Sequence, residues 1–275
     1  MTNDEIRRKH EARSLKGRAE FGFRISDFSR VSAFGLRISR QGFTLIEMLV
    51  VIAIIGILAS LIFPVTAAVA RARIRSSARA QLAQIETAIA DYKTKLGYYP
   101  PDNPILSLGS SNFAVCQLYY ELGGTINTNG PTGTYQTMNG AVQISAVPNS
   151  IHTAFNTTRF DGFMNSSKGA TSDDAQSPVN FFKNIKSGQS LLVAPFSAAN
   201  PVELLGANIK GPLMYTDSSG NAINPWRYNS SNPVNNPNSY DLWIDVLIGG
   251  KTNRICNWTS QPLIVAPNPI VPGSY

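Results

Sequence analysis

An apolar run from Phe43 to Phe63 dominates the first quarter of the chain, and Glu47 is its one charged residue. A helix rises about 1.5 Å per residue, so a run of 21 residues can cross the hydrocarbon core of a bilayer. The pattern therefore predicts a membrane-spanning helix over residues 43–63. A carboxylate inside such a run is costly to solvate as an ion, so Glu47 requires a partner.

The helix is expected to continue beyond Pro64, because a proline inside a helix removes one backbone hydrogen bond and kinks the helix. Apolar residues then recur at spacings of three and four, the pattern of an amphipathic helix over residues 64–97. They are Ala78, Leu82, Ile85, Ile89, Tyr92 and Leu96. We predict one long helix from about Thr44 to Leu96, with Gly97 as its stop.

From about residue 103 the chain is rich in Asn, Ser, Thr, Gly and Pro, which favours a loop-rich α/β or β domain. A short helix is predicted over residues 114–122, and residues 125–180 are predicted to form long loops with short strands such as 141–147. Further strands are predicted over 190–194, 211–216, 224–228 and 240–246, with a turn over 217–221. Within the last strand, Leu242, Ile244 and Val246 alternate and face one way.

Positive charge is concentrated at the start of the chain. Of the 24 Lys/Arg and 17 Asp/Glu, ten and five lie in residues 1–42, which leaves 14 and 12 beyond them. The formal charge of +7 therefore falls to +2 after residue 42, and a nucleic-acid-binding function loses its main support.

The apolar run begins with the motif Gly42-Phe43-Thr44-Leu45-Ile46-Glu47, preceded by Arg37 and Arg40, which favour the cytoplasmic face. The motif and its flanks resemble the N-terminal signal of type IV pilins and of type II secretion pseudopilins. A secretory signal peptide is cut after its apolar region, whereas here the candidate cut precedes it, so the helix would be retained. A plain signal anchor is the alternative, but it would not require this motif.

The resemblance implies a processing site and an assembly residue. A prepilin peptidase would cut between Gly42 and Phe43 and N-methylate Phe43, and Glu47 would be the carboxylate needed for assembly. In a bundle of such helices, Glu47 and a neighbour's amino terminus would neutralise each other, because opposite charges attract strongly at low dielectric. Residues 1–42 would be a cytoplasmic leader that is removed. This leader is long for the family, so a start later than Met1 or a functional cytoplasmic tail are alternatives.

The implied fold class is α+β, with a long N-terminal α-helix packed on a small antiparallel β-sheet domain with long loops, the pilin-like fold. Residues 43–63 would span the membrane, residues 64–97 would form the amphipathic half of the helix, and residues 98–275 would form a periplasmic domain. Residues 104–210 would be an enlarged version of the variable region found in the family.

A second resemblance, to major pseudopilins, lies in the C-terminal part, where short elements follow one another in the family's order. They are Asp217, Gly220, Pro225-Trp226-Arg227-Tyr228, Tyr240-Asp241-Leu242, Gly249-Gly250 and Ile255-Cys256-Asn257-Trp258. The final loop of that family often binds calcium through carboxylates and carbonyls. Here residues 248–254 contain no acid, so Asp241 and Asp245 are weak calcium candidates, and no other metal or cofactor is expected.

Two cysteines, Cys116 and Cys256, allow one disulfide in an extracytoplasmic domain, with two buried free thiols as the favoured alternative. Catalysis is not indicated, because His152 is the one histidine beyond the leader and no Gly-x-Ser-x-Gly motif accompanies the serines.

Four arginines lie on the predicted long helix, after the apolar run. A solvated helix surface is favoured for them over contact with anionic headgroups or neighbouring subunits: Arg71, Arg73, Arg75 and Arg79.

The sequence thus predicts a non-enzymatic filament subunit, in first place a type II secretion pseudopilin in the bacterial inner membrane. Its N-terminus would be cytoplasmic and its domain periplasmic. The expected partners are other copies, other pseudopilins, the prepilin peptidase, the inner-membrane assembly platform and the lipid bilayer, with no nucleic acid. A type IV or competence pilin and a membrane-tethered binding protein or enzyme are the alternatives.

Overall fold

The computed structural model describes residues 42–103, 112–128, 130–140, 142–158, 160–167 and 177–265, without the side chains of residues 61–65 and 112. The predicted leader up to residue 41 lies outside these ranges. The chain divides into two compact units, the first ending at Leu58 and the second beginning at Ala59. The architecture is α+β, an N-terminal helix followed by a β-rich domain, so the predicted pilin-like fold class is confirmed.

Helix α1 (Leu45–Leu96) continues through Pro64 and ends where the sequence predicts. The amide of Gly97 donates to the carbonyl of Lys93 at 2.8 Å, and Gly97 has a φ of 89°, a left-handed conformation that stops the helix. The predicted apolar stripe is buried in the second unit, while Leu96 is half-buried: Ala78, Leu82, Ile85, Ile89 and Tyr92.

The segment after α1 contains two short helices and a small sheet. Helix α2 (Leu118–Gly123) overlaps the helical segment predicted over 114–122, but it begins four residues later and ends one residue later. Helix α3 (Pro148–Phe155), which the sequence analysis missed, starts with a proline in its first turn. A three-stranded antiparallel sheet has the order β1 (Thr125–Asn127), β2 (Thr134–Thr137) and β3 (Gln143–Ser145). The predicted strand over 141–147 is therefore shorter in the structure.

Two four-stranded antiparallel sheets complete the second unit. The first has the order β4 (Ser190–Val193), β5 (Val202–Ala207), β7 (Ala222–Pro225) and β6 (Tyr215–Thr216). The second has the order β11 (Leu263–Val265), β10 (Lys251–Cys256), β9 (Asp241–Ile248) and β8 (Arg227–Asn229). The segments predicted as strands over 224–228 and 240–246 contribute neighbouring strands of this sheet, because Arg227 of β8 lies opposite Trp243 of β9.

The predicted strand over 224–228 is divided at Trp226 between the two sheets. Strand β7 pairs with β5, whereas β8 pairs with β9, and the Trp226 amide donates to the carbonyl of Leu205 at 2.9 Å. The predicted strand over 211–216 is reduced to β6. A Cβ at Gly211 would lie 2.3 Å from the Asn224 amide nitrogen, so this glycine serves close packing.

Two asparagine side chains join the ends of stretches that lie outside the described ranges. The Asn103 amide nitrogen donates to the carbonyls of Val115 and Phe155, at 3.0 and 2.6 Å. The Asn165 amide nitrogen donates to the Val179 carbonyl at 2.6 Å, and its oxygen accepts from the Val179 amide at 2.9 Å. Hydrogen bonds thus hold together the described residues on either side of 104–111 and of 168–176.

Candidate processing and assembly site

Gly42 and Phe43 precede α1 in irregular, exposed chain. A Cβ atom placed on Gly42 would have no neighbour within 4 Å among the described residues, and the side chain of Phe43 is 73% exposed. A peptide bond in such a position can be approached from several sides, and glycine adds no side chain that hinders the approach. The local structure thus suits a protease site.

Thr44 and Glu47 form a capping box at the start of α1. The Thr44 amide and hydroxyl each donate to Oε2 of Glu47 at 2.8 Å, and the Glu47 amide donates to Oγ1 of Thr44 at 3.3 Å. These bonds satisfy amides that lack a partner within the helix. The Glu47 carboxylate therefore contacts Thr44, the residue that directly follows Phe43. The spacing Thr-x-x-Glu is a capping signature in the sequence, and the sequence analysis missed it.

The first turns of α1 present apolar side chains to the outside. Every described side chain from Phe43 to Leu58 is exposed, including Leu45 at 83%. An apolar surface of this extent is typical of segments that lie in a membrane or against another protein. Among the described residues, no helix reaches the length and hydropathy of a membrane span. The span over residues 43–63 stays a prediction.

Comparison with known protein families identifies this same stretch. Residues 37–63 match the prokaryotic N-terminal methylation motif. The match includes Gly42, Phe43 and Glu47, and it confirms the prepilin-type signal recognised in the sequence. No curated protein and no solved structure matches the chain. The methylation motif is consistent with both type IV pilin-like proteins and pseudopilins, and it does not distinguish between these two classes.

The weak calcium candidates have other partners in the structure. The Asp241 carboxylate accepts hydrogen bonds from the backbone amides of Val234, Asn235 and Asn236 at 2.8 to 2.9 Å. Both oxygens of Asp245 accept from the Arg254 guanidinium, at 2.8 and 3.1 Å. The two carboxylates therefore hold a loop and an arginine, and they do not fit a cation site. No group of three or more His, Cys, Asp or Glu among the described residues could hold a metal.

The two cysteines lie in different hydrophobic clusters. Cys116 belongs to the main core, whereas Cys256 packs with Phe113 and Trp243. Both are buried free thiols, so the disulfide that the sequence allows is absent from the structure. Burial raises the pKa of the Cys116 thiol to about 12, which keeps it protonated and unreactive near neutral pH.

A buried carboxylate that the sequence analysis missed joins three segments. Glu121 of α2 accepts hydrogen bonds from the hydroxyl of Tyr92 and from the amides of Met164 and Asn165, at 2.8 to 2.9 Å. Burial raises the pKa of this carboxyl to about 7, and the two backbone donors oppose that shift. Glu121 thus ties α1 to the segment around residue 165.

Proposed function

We propose that this chain is a structural subunit of a pilus-like filament, assembled in the cell envelope through its N-terminal helix. The observation that carries the proposal is the methylation motif over residues 37–63 at the start of a long helix with an exposed apolar surface. A prepilin peptidase would cut between Gly42 and Phe43 and methylate the new amino terminus. The role is architectural, since the prepilin-type signal points to a filament subunit and away from an enzyme.

In the proposed mechanism, neighbouring helices replace lipid around the apolar surface, and Glu47 supplies the polar contact. Cleavage creates an amino group on Phe43, next to the capping box that holds the Glu47 carboxylate. An ammonium and a carboxylate in a low-dielectric helix bundle attract each other strongly, whereas each alone is costly to bury. Pairing between subunits would therefore fix their register along the filament.

Within this class, we favour a type II secretion pseudopilin in the bacterial inner membrane. Support comes from the Gly97-Tyr98-Tyr99-Pro100 exit of the helix, which resembles the Gly-x-Tyr-Pro-type exit of major pseudopilins. Further support comes from the short elements in β8, β9 and β10, which follow one another in the order found in that family and form one antiparallel sheet. The expected partners are other subunits, the prepilin peptidase and the assembly platform. The N-terminus would face the cytoplasm, residues 43–63 would span the membrane, and the second unit would lie in the periplasm.

The proposal is tested by expressing the full chain together with a prepilin peptidase and a matching assembly system. Intact-mass measurement is expected to show a mature chain that begins at Phe43 and carries one methyl group. Glu47→Ala should leave membrane insertion and processing intact but abolish filaments seen by electron microscopy. Asp91→Ala is the control, because Asp91 is an exposed acid on the same helix outside the motif. A chain that keeps residues 1–42, or normal filament yield from Glu47→Ala, would contradict the proposal.

A further inference from the structure

Two adjoining cavities lie beside the second half of α1, and we call them together the α1 cleft. The larger has a volume of about 490 Å³ and lies between α1 and residues 179–184. The smaller has a volume of about 270 Å³ and lies between α1 and the turn over residues 186–189. Gln84 lines both cavities. The larger volume is within the range of sites that hold small ligands, about 300–1,000 Å³.

The helix side of the α1 cleft is a stripe of polar and small residues beside the apolar stripe. Its members recur at spacings of three and four, so they share one side of the helix. They are Ser77, Gln81, Gln84, Ala88 and Asp91. The stripe from Ser77 to Asp91 is about 21 Å long at the rise of an α-helix. A cleft of this length suits a ligand that is itself a chain.

Hydrogen bonds fix the orientation of two amide side chains in the α1 cleft. Oε1 of Gln84 accepts from Nε2 of Gln189 at 3.1 Å, and Oε1 of Gln189 accepts from the Lys186 amide at 2.8 Å. Oδ1 of Asn180 accepts from the Phe182 amide at 2.9 Å. The oxygens of Gln84 and Asn180 are thus engaged, which leaves their NH₂ groups to donate to a ligand.

The larger cavity contains one charge of each sign. Asp91 and Lys183 both line it, both are exposed, and neither takes part in the ion pairs found among the described residues. The larger cavity therefore has no net charge, and Lys186 adds a single cation at the smaller one. Half-buried Phe181 supplies an aromatic ring, whose face attracts polarised C–H groups. Amide, carboxylate, ammonium and aromatic groups together match a ligand with many hydroxyls and with C–H faces.

The backbone beside the larger cavity is already paired. The Phe181 amide donates to the Leu122 carbonyl at 2.9 Å, and the Phe182 amide donates to the Asn180 side chain. Extended peptides are commonly captured through backbone hydrogen bonds to a free strand edge, whereas the backbone of α1 is bonded within the helix. These parts of the α1 cleft offer side chains for binding, which favours a hydroxyl-rich ligand over a peptide.

We propose that the α1 cleft binds a glycan chain. Gln84, Asp91, Lys183 and Asn184 line the larger cavity and hydrogen-bond to the sugar hydroxyls, while Phe181 packs against the face of a sugar ring. The inference goes beyond the proposed function and does not depend on it, because every residue of the cleft lies in the second unit.

The test is calorimetric titration of the full chain in lauryldimethylamine oxide, a detergent without a sugar headgroup. Maltotetraose and cellotetraose test plain hexose chains, and chitotetraose tests N-acetylated chains. At least one of them should bind at one site per chain with a Kd of about 1 mM or lower. The variant Lys183→Ala with Asn184→Ala should raise that Kd by at least about tenfold, because two lost hydrogen bonds of ordinary strength correspond to this factor.

A matched control makes the same two changes at exposed positions outside the cleft, Lys95→Ala with Asn232→Ala, and should keep the wild-type Kd. Circular dichroism checks that both variants are folded. Absence of binding for all three sugars, or an unchanged Kd in the cleft variant, overturns the proposal. An equal loss in the control variant overturns the cleft as the site. Binding of tetra-alanine with the same dependence on the cleft variant overturns it in favour of a peptide.

Discussion

The hydroxyl of Tyr92 donates a hydrogen bond of 2.9 Å to the buried carboxylate of Glu121. This bond joins α1 to α2, and through the Asn165 amide it joins both to a segment 44 residues further along the chain. The sheet domain is therefore attached to the long helix by polar contacts as well as by the apolar stripe. Protonation of Glu121 changes these contacts.

We expect stability to depend on pH through Glu121. Burial raises the pKa of Glu121 from 4.5 to about 7, so the folded chain binds a proton that the unfolded chain has lost. The free energy of unfolding should therefore fall by about 3 kcal/mol as the pH rises from about 4.5 to about 7, at about 1.4 kcal/mol per pKa unit. Glu121→Gln should remove this decrease.

The measurement is urea unfolding of the full chain in detergent across this pH range, followed by the fluorescence of buried Trp226. Asp91→Asn, at an exposed position of α1, should keep the wild-type slope. An equal slope in Glu121→Gln and the wild type would assign the pH dependence to other groups.

Removing the charge of Asp245 should be strongly destabilising. Its side chain is 1% exposed and pairs with Arg254, while Arg227 lies 3.7 Å away, so two buried cations share one anion. Asp245→Asn removes the carboxylate that both arginines share, and the expected loss is about 3–5 kcal/mol in the free energy of unfolding. Asp217→Asn, in an exposed turn, should destabilise the fold far less, because solvent screens that carboxylate. Similar losses in the two variants would contradict the importance of the buried pair.

Calcium should leave the thermal stability of the chain unchanged. The Asp241 carboxylate already accepts three backbone hydrogen bonds, so the loop before β9 needs no cation to hold it. We expect the same melting temperature in calcium and in a chelator. Asp241→Asn should lower that temperature equally in both conditions, because about 1–3 kcal/mol of stabilisation by hydrogen bonds is lost. A rise in melting temperature with calcium in the wild type alone would restore the calcium prediction.

The Thr44 hydroxyl should assist assembly less than the Glu47 carboxylate. Thr44→Val removes the hydroxyl of the capping box but leaves the Thr44 backbone amide that donates to Glu47. A lost N-cap costs about 0.5–2 kcal/mol, so filament yield should decrease without disappearing. Thr44→Ser keeps the hydroxyl and should assemble normally. A complete loss of filaments in Thr44→Val would show that the hydroxyl itself is essential.

Segments with a periodic apolar pattern could be predicted, and strands without such a pattern could not. The stripe of α1 and the alternation of Leu242, Ile244 and Val246 placed these elements, since one set of side chains meets the core. Strand β5 is buried at every position and has no alternation to read. A Cβ at Gly206 would lie 2.5 Å from atoms of Ile223 and Asn224, so close packing requires a glycine at this position of the strand.

The N-terminal motif was readable because its residues are consecutive. Gly42, Phe43 and Glu47 lie within six positions, and the family comparison supports the signal over residues 37–63. The cluster around Glu121 was not readable, because Tyr92 is 29 residues before it and Asn165 is 44 residues after it. Arg254 was assigned to a loop by sequence, yet it is fully buried beside Asp245 because β9 and β10 place them opposite each other.

Asn103 and Asn165 hold together described residues that the sequence separates by stretches of undescribed chain. A change in the length of such a stretch costs little in loop-closure entropy, since that cost grows slowly with length. We therefore expect an insertion between residues 103 and 112, or between residues 167 and 177, to leave both sets of asparagine hydrogen bonds in place. The two asparagines thus separate the length of these stretches from the stability of the core.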